Sequence, residues 1–131
     1  MRDSLLFVYG TLRPCVDIRM SRWLRRNARY LGGATTAGRL YDLGPYPAMR
    51  AAGVCHDRVI GDVYRVVQRR VLSVLDRYEA GEVRRRPRFV RERCIVKLAR
   101  GANRTAWTYR YRYSVAGAPR IVGGDYREHR R

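Results

Sequence analysis

The chain opens on an unbroken apolar run, Leu5 to Tyr9 in "SLLFVYGTLRP", bounded by Ser4 and Gly10. A short apolar run ended by turn residues predicts a buried strand. The bend that follows is Gly10, Thr11 and Leu12. In "DIRMSRWLRRNARYLGG" the apolar positions Ile18, Met20, Trp23, Leu24, Ala28 and Leu31 fall near helical spacing, with Arg on the other side. This predicts a helix capped by Asp17 and ended at Gly32–Gly33. "ATTAGRLYDLGPYPAMR" predicts a strand and then a proline-containing loop, and "RVIGDVYRVV" predicts another strand. "VQRRVLSVLDRYEAGE" predicts a second helix with a stripe of Val67, Val71, Val74, Leu75 and Tyr78, stopped at Gly81.

Two strands close the pattern, "RFVRERCIVKL" and "TAWTYRYRYSV". The second alternates strictly. Trp107, Tyr109, Tyr111, Tyr113 and Val115 share one face, and Thr108, Arg110, Arg112 and Ser114 the other. The order β, α, β, β, α, β, β is not that of a doubly wound sheet. It predicts one α+β domain over 1–131, a small mixed β-barrel of about five to seven strands with two flanking helices and a polar tail from about 125. The aromatic face of the last strand is expected to fill the barrel core, since closure removes exposed edges.

Composition narrows the function. With 131 residues the chain suits one domain. No apolar run is long enough to span a membrane, and the N-terminal run is too short for a secretory signal, so the expectation is a cytoplasmic protein without membrane attachment. Cys15, Cys55 and Cys94 form no C-x-x-C pair, and His56 and His129 are the only histidines. These spacings argue against a disulfide framework and a zinc site, so no metal is expected. The net charge of +18 raises the prospect of a polyanion partner. However, Lys97 is the only lysine among 29 basic residues, and the arginines are spread along the whole chain. That bias fits the codon usage of a GC-rich genome, although non-specific polyanion binding remains an expectation.

Among the four glutamates, Glu92 lies between Arg91 and Arg93 and reads as a sheet-face ion pair, Glu82 lies past a helix end and Glu128 is in the tail. Glu79 differs. It continues the column of Val71 and Leu75 on the second helix, at the margin of the buried stripe and in the last turn. Partial burial and the negative end of the helix both oppose its charge, pushing its pKa toward the range of an acid/base catalyst near neutrality. An ion pair with the Arg84–Arg86 run would offset both effects. The bend after Tyr9 also carries two readings: a plain turn closed by Thr11, or a set of free N–H groups that cradles an anion such as a carboxylate.

Seven segments, "FVYGTLRP", "GRLYDLGPYPAM", "GDVYRV", "LDRYE", "RFVRERCIV", "AWTYRY" and "GGDYRE", run in this order from Leu6 to Glu128. Together they resemble the γ-glutamylcyclotransferase-like family, which includes AIG2-like proteins and γ-glutamylamine cyclotransferases. The resemblance implies that the loop of Tyr9, Gly10, Thr11 and Leu12 holds a glutamyl moiety and that Glu79 is the catalytic acid/base. It implies a γ-glutamyl amide substrate, release of 5-oxoproline, and no cofactor. Four positions depart from the family pattern: Ala80 and Gly81 follow Glu79 where a Gly and an aromatic are usual, Phe89 replaces a Tyr, and Tyr126 replaces a Trp. Two other readings stand beside the enzyme: a non-catalytic small-molecule binder on the same fold, and a basic nucleic-acid or polyanion binder.

Overall fold

The computed structural model describes residues 4–50, 56–81 and 86–130. Five strands close a barrel in the order β1 (Ser4–Val8), β5 (Arg58–Val66), β2 (Arg29–Ala37), β6 (Phe89–Leu98) and β7 (Asn103–Tyr111). Neighbours are antiparallel except at the closure, where β7 runs parallel to β1 with Leu6 beside Trp107. A second sheet has the order β4 (Pro47–Arg50), β3 (Arg39–Asp42), β8 (Arg120–Ile121). The helices are α1 (Arg19–Asn27), α2 (Arg69–Ala80) and the short α3 (Tyr126–His129). The fold is α+β, as the element order predicts.

Alternation along β1 divides the core in two. Phe7 and Tyr9 point inward with Ala34, Val59, Val63, Val96 and Ala106, and the same cluster continues into Leu40, Met49 and Ile121 of the second sheet. Leu6 and Val8 point outward, under Leu24 of α1 and Val71, Leu72 and Leu75 of α2. Each barrel strand of this region is therefore covered on both faces, which explains the continuous apolar run of "LLFVY".

Several expectations need correction. Helix α1 ends at Asn27, not at Gly32–Gly33. Ala28 turns extended while its N–H still donates to the Leu24 carbonyl at 2.9 Å, and Arg29 already pairs with Arg65 of β5. Gly32 lies in a bulge of β2. Asp17 does not cap the helix. Ser21 accepts from the Ile18 N–H at 3.2 Å, and Asp17 instead takes Arg22 at 2.6 Å on the surface. On α2 the buried residues are Val71, Leu72 and Leu75, while Val67, Val74 and Tyr78 are exposed. Strand β7 stops at Tyr111, short of Tyr113 and Val115.

Its aromatics do not fill the barrel. Trp107, Tyr109 and Tyr111 lie on the outer face against the α2 cluster. The interior positions are Ala106 and the fully buried Thr108, whose hydroxyl donates to the Phe7 carbonyl at 3.0 Å. A five-stranded barrel has a narrow interior, and small side chains on β7 leave room there for Phe7. Glu92 forms the expected sheet-face pair, with Arg110 across the strands at 2.8 Å. The polar tail from 125 carries α3, where Tyr126 is buried and Asp125 caps the helix. No helix among the described residues is long and apolar enough to cross a membrane.

Candidate active site

A cavity of about 240 Å³ opens between the end of β1, the end of α2 and the approach to β4. Tyr9, Gly10, Thr11 and Leu12 form one side, and Glu79 and Tyr78 another. Tyr46, Pro47, Arg88 and Phe89 complete the wall. The residues that the sequence singles out thus share one cavity, although they lie about seventy positions apart in the chain.

The bend is a turn closed by the Arg13 N–H donating to the Gly10 carbonyl at 3.1 Å. Within it, the N–H groups of Gly10, Thr11 and Leu12 donate to no protein acceptor among the described residues. Such consecutive donors suit a carboxylate. Gly10 has no left-handed backbone. It is needed because the Pro47 ring packs directly on its α-carbon.

Arg13 anchors the far side of the turn. Its Nε donates to Asp62 at 2.7 Å and its Nη1 to Asp125 at 2.8 Å. Tyr30 donates its hydroxyl to the other Asp62 oxygen at 2.7 Å. Burial works against the Arg13 charge, but the two carboxylates more than offset it and its pKa rises. Asp125 also receives the Arg127 N–H at 3.0 Å. The "GGDYRE" segment therefore acts at a distance, clamping the residue that follows "YGTL".

Tyr9 does not offer its hydroxyl to the cavity. It donates to the Tyr109 carbonyl at 2.5 Å, fastening the end of β1 to β7. Burial, with the Glu79 charge second, raises its phenol far above the usual range, so the donor stays protonated.

Glu79 sits one helical turn beyond Asp76. Asp76 accepts from the Tyr109 hydroxyl at 2.6 Å and from Arg91 Nε at 2.9 Å, which fixes the last turns of α2 against β6 and β7. The Glu79 carboxyl makes no hydrogen bond or ion pair among the described residues. Arg84 and Arg85 of the considered basic run, and Glu82, lie outside those residues, and Arg86 is exposed. Glu79 keeps some accessible surface, through the cavity, yet protein crowds it, and this burial pushes its pKa to about 8. The column Val71–Leu75–Glu79 thus ends in a carboxyl at the cavity wall.

The Ala80–Gly81 departure has a physical role. The helix continues to Ala80, and Gly81 ends it with φ of 82°. The Arg88 guanidinium lies over Gly81, where a Cβ would stand 2.5 Å from Nε. Arg88 Nη1 donates to the Tyr46 hydroxyl at 3.0 Å. Sequence reasoning misses Arg88, Tyr46 and Tyr78 as wall residues. One arginine among so many carries no signal, and Tyr78 reads as part of the apolar stripe. "GPYP" marks a loop but not what the loop faces.

The aromatic residues of β7 form no open stacking surface. Trp107 lies between Arg91 and Arg93, whose guanidinium carbons stand 4.5 and 4.8 Å from its ring centroid. Cys15 and Cys94 are free thiols, and Cys55 lies outside the described residues.

Glu79 and the donor loop thus line one cavity beside the closed five-stranded barrel. The family model described as gamma-glutamyl cyclotransferase, AIG2-like, matches residues 6–128, and the chain belongs to that family. Among solved structures it is similar to YkqA from Bacillus subtilis, with 25% identity and a TM-score of 0.76. That match covers 98% of this chain but only 41% of YkqA, so the chain spans less than half of that relative. It is also similar to ytfP from Escherichia coli, with 29% identity, a TM-score of 0.68, and 97% and 99% of the two chains covered. A mouse AIG2-like protein shares the fold at 20% identity and a TM-score of 0.70, covering 87% of this chain and 81% of its own. A sequence search against curated proteins returned no significant match.

Proposed function

We propose that this chain is a γ-glutamyl cyclotransferase, acting on γ-glutamyl amides and releasing 5-oxoproline and a free amine. The observation that carries the reading is the Glu79 carboxyl, free of protein partners among the described residues, in the same cavity as the free amides of Gly10, Thr11 and Leu12. Family membership supports it.

The substrate α-carboxylate binds the loop amides, and the α-ammonium approaches Glu79. In the empty cavity Glu79 is largely protonated near neutrality. A neighbouring ammonium favours its ionised form, so substrate binding itself readies the base. Glu79 takes a proton from the α-ammonium. The amine attacks the γ-carbonyl carbon of the same molecule, forming the ring C–N bond, and the amide C–N bond breaks. Overall two protons pass from the α-nitrogen to the leaving nitrogen, one at a time through the Glu79 carboxyl, and no water is consumed.

The nucleophile belongs to the substrate, so the protein needs no Ser-His or Cys-His pair. Its contribution is orientation, for which well-aligned intramolecular reactions gain about 7–11 kcal/mol, and one positioned proton carrier, worth on the order of 10²–10⁴-fold. Mass spectrometry of 5-oxoproline released from a panel of γ-glutamyl amides tests the reading. Silence across the panel, with one of its members bound in the cavity, would leave a binding protein instead.

A further inference from the structure

Pro47 packs on Gly10 and so joins the donor loop directly to the start of β4. A second route between the same two places runs outside the cavity, through the short helix α3. The Arg13 N–H closes the donor turn on the Gly10 carbonyl, and Arg13 Nη1 donates to Asp125 at 2.8 Å. Asp125 begins α3, and its carbonyl accepts the His129 N–H at 3.1 Å one turn later. His129 Nε2 donates to Asp42 Oδ2 at 2.8 Å. Asp42 pairs with Pro47 across β3 and β4. Gly10, Arg13, Asp125, His129, Asp42 and Pro47 therefore form a closed circuit.

Both ends of α3 are fixed. Tyr126 is 3% exposed and packs in the same core cluster as Phe7 and Tyr9. The Gly124 carbonyl accepts the Ile60 N–H at 2.8 Å, so the chain enters α3 tied to β5. At the far end, Asp42 also receives the Gly44 N–H at 2.7 Å, and the Leu43 N–H donates to the Tyr46 carbonyl at 3.1 Å. The link thus reaches the loop that carries Tyr46 into the cavity wall. A single helical turn has little stability of its own, so α3 owes its shape to these ties. Asp125 and His129 are not among the residues that line the cavity.

We propose that α3 braces the donor loop against the loop before β4, which makes Asp125 and His129 positioning residues for the bound carboxylate. The consequence for substrate rests on the cyclotransferase reading. The links of the brace act in series, so releasing either one frees the spacing that both maintain. Their effects on KM should therefore not multiply, whereas those of independent sites would. Contacts that only stabilise the fold would lower the unfolding midpoint and leave the KM of the folded protein unchanged.

The test uses Asp125→Asn, which keeps the helix cap but removes the charge facing Arg13, together with His129→Ala and the double variant. His129→Gln restores a side-chain N–H donor. Folding of each is verified by circular dichroism. Amide hydrogen exchange is read on the loop that each variant does not bond: the Arg13 N–H in His129→Ala, and the Leu43 N–H in Asp125→Asn. Both should exchange faster than in wild type, and His129→Gln should recover part of the protection at Arg13. With one accepted γ-glutamyl amide, each single variant should raise KM by about 2–10-fold, the scale of one hydrogen bond, and leave kcat nearly unchanged. The double variant should raise KM by less than the product of the two. Unchanged exchange across α3, an unchanged KM, or a rise in the double variant equal to the product would overturn the inference. Faster exchange in both single variants, with no γ-glutamyl amide bound or turned over by wild type, would sustain the brace and overturn the cyclisation.

Discussion

The Pro47 ring lies so close to Gly10 that a Cβ on Gly10 would stand 2.7 Å from Pro47 Cγ and 2.8 Å from Cδ. Pro47 cannot swing away, because it belongs to β4 and pairs with Asp42. Gly10→Ala must therefore shift the turn that presents the free amides. Overpacking of this kind costs about 1–3 kcal/mol. The expected outcome is a lowered urea midpoint together with a raised KM for a γ-glutamyl amide. An unchanged KM would mean that the turn's amides do not hold the substrate.

Arg13 and Asp62 are a buried pair, with side chains 8% and 9% exposed. Removing one partner of such a pair commonly costs about 3–5 kcal/mol, because the other charge is left in the interior. Asp125 still contacts Arg13, so Asp62→Ala should fall at the lower end of that range. Asp125→Ala should cost less, since its carboxyl is 19% exposed. Chemical denaturation of both variants checks the order, and a reversal would show that Asp125 is the principal anchor.

Glu79 makes stability depend on pH with a definite sign. Folding raises its pKa from 4.5 to about 8. Between those values the folded protein keeps a proton that the unfolded chain releases, so stability falls as pH rises through this window and levels off above it. The full cost is at most roughly 4–5 kcal/mol. Glu79→Gln lacks this dependence, so its stability relative to wild type should improve between about pH 5 and about pH 9. Thermal unfolding at the two pH values checks it, and a constant difference would contradict the burial of an ionisable group there.

The same group shapes activity. In the free enzyme the base must be ionised, so kcat/KM for a γ-glutamyl amide should climb with pH up to about 8. A pH–rate profile with that limb, absent from the residual activity of Glu79→Gln, is the expected outcome. A limb near the ordinary glutamate range would show that the cavity does not shift this carboxyl in the working enzyme.

What the sequence made legible was local and periodic. The run Leu5–Tyr9, the alternation in β5 and the column Val71–Leu75–Glu79 each point to the element that forms. They also point to the two walls of the cavity, because a glycine after a strand and a carboxylate on an apolar column are both unusual chemistry for their place. Other features depended on tertiary pairing. Arg29 to Leu31 continue the apolar spacing of α1, yet β5 captures them as a strand. Trp107 and Tyr109 alternate as a core face would, but alternation alone does not say whether helices or a barrel interior cover that face. Asp17 looks like a cap, whereas Ser21 fills that position from inside the first turn. Arg88 was invisible because the chain is saturated with arginine, and its place over Gly81 and beside Tyr46 comes from the fold.

The most direct test of the central claim is the rate of 5-oxoproline release from one accepted γ-glutamyl amide by wild type and by Glu79→Gln, with folding of both verified by circular dichroism. The account predicts that the near-isosteric variant keeps the fold and loses at least about 10²-fold in turnover. Turnover by Glu79→Gln equal to that of wild type would contradict it.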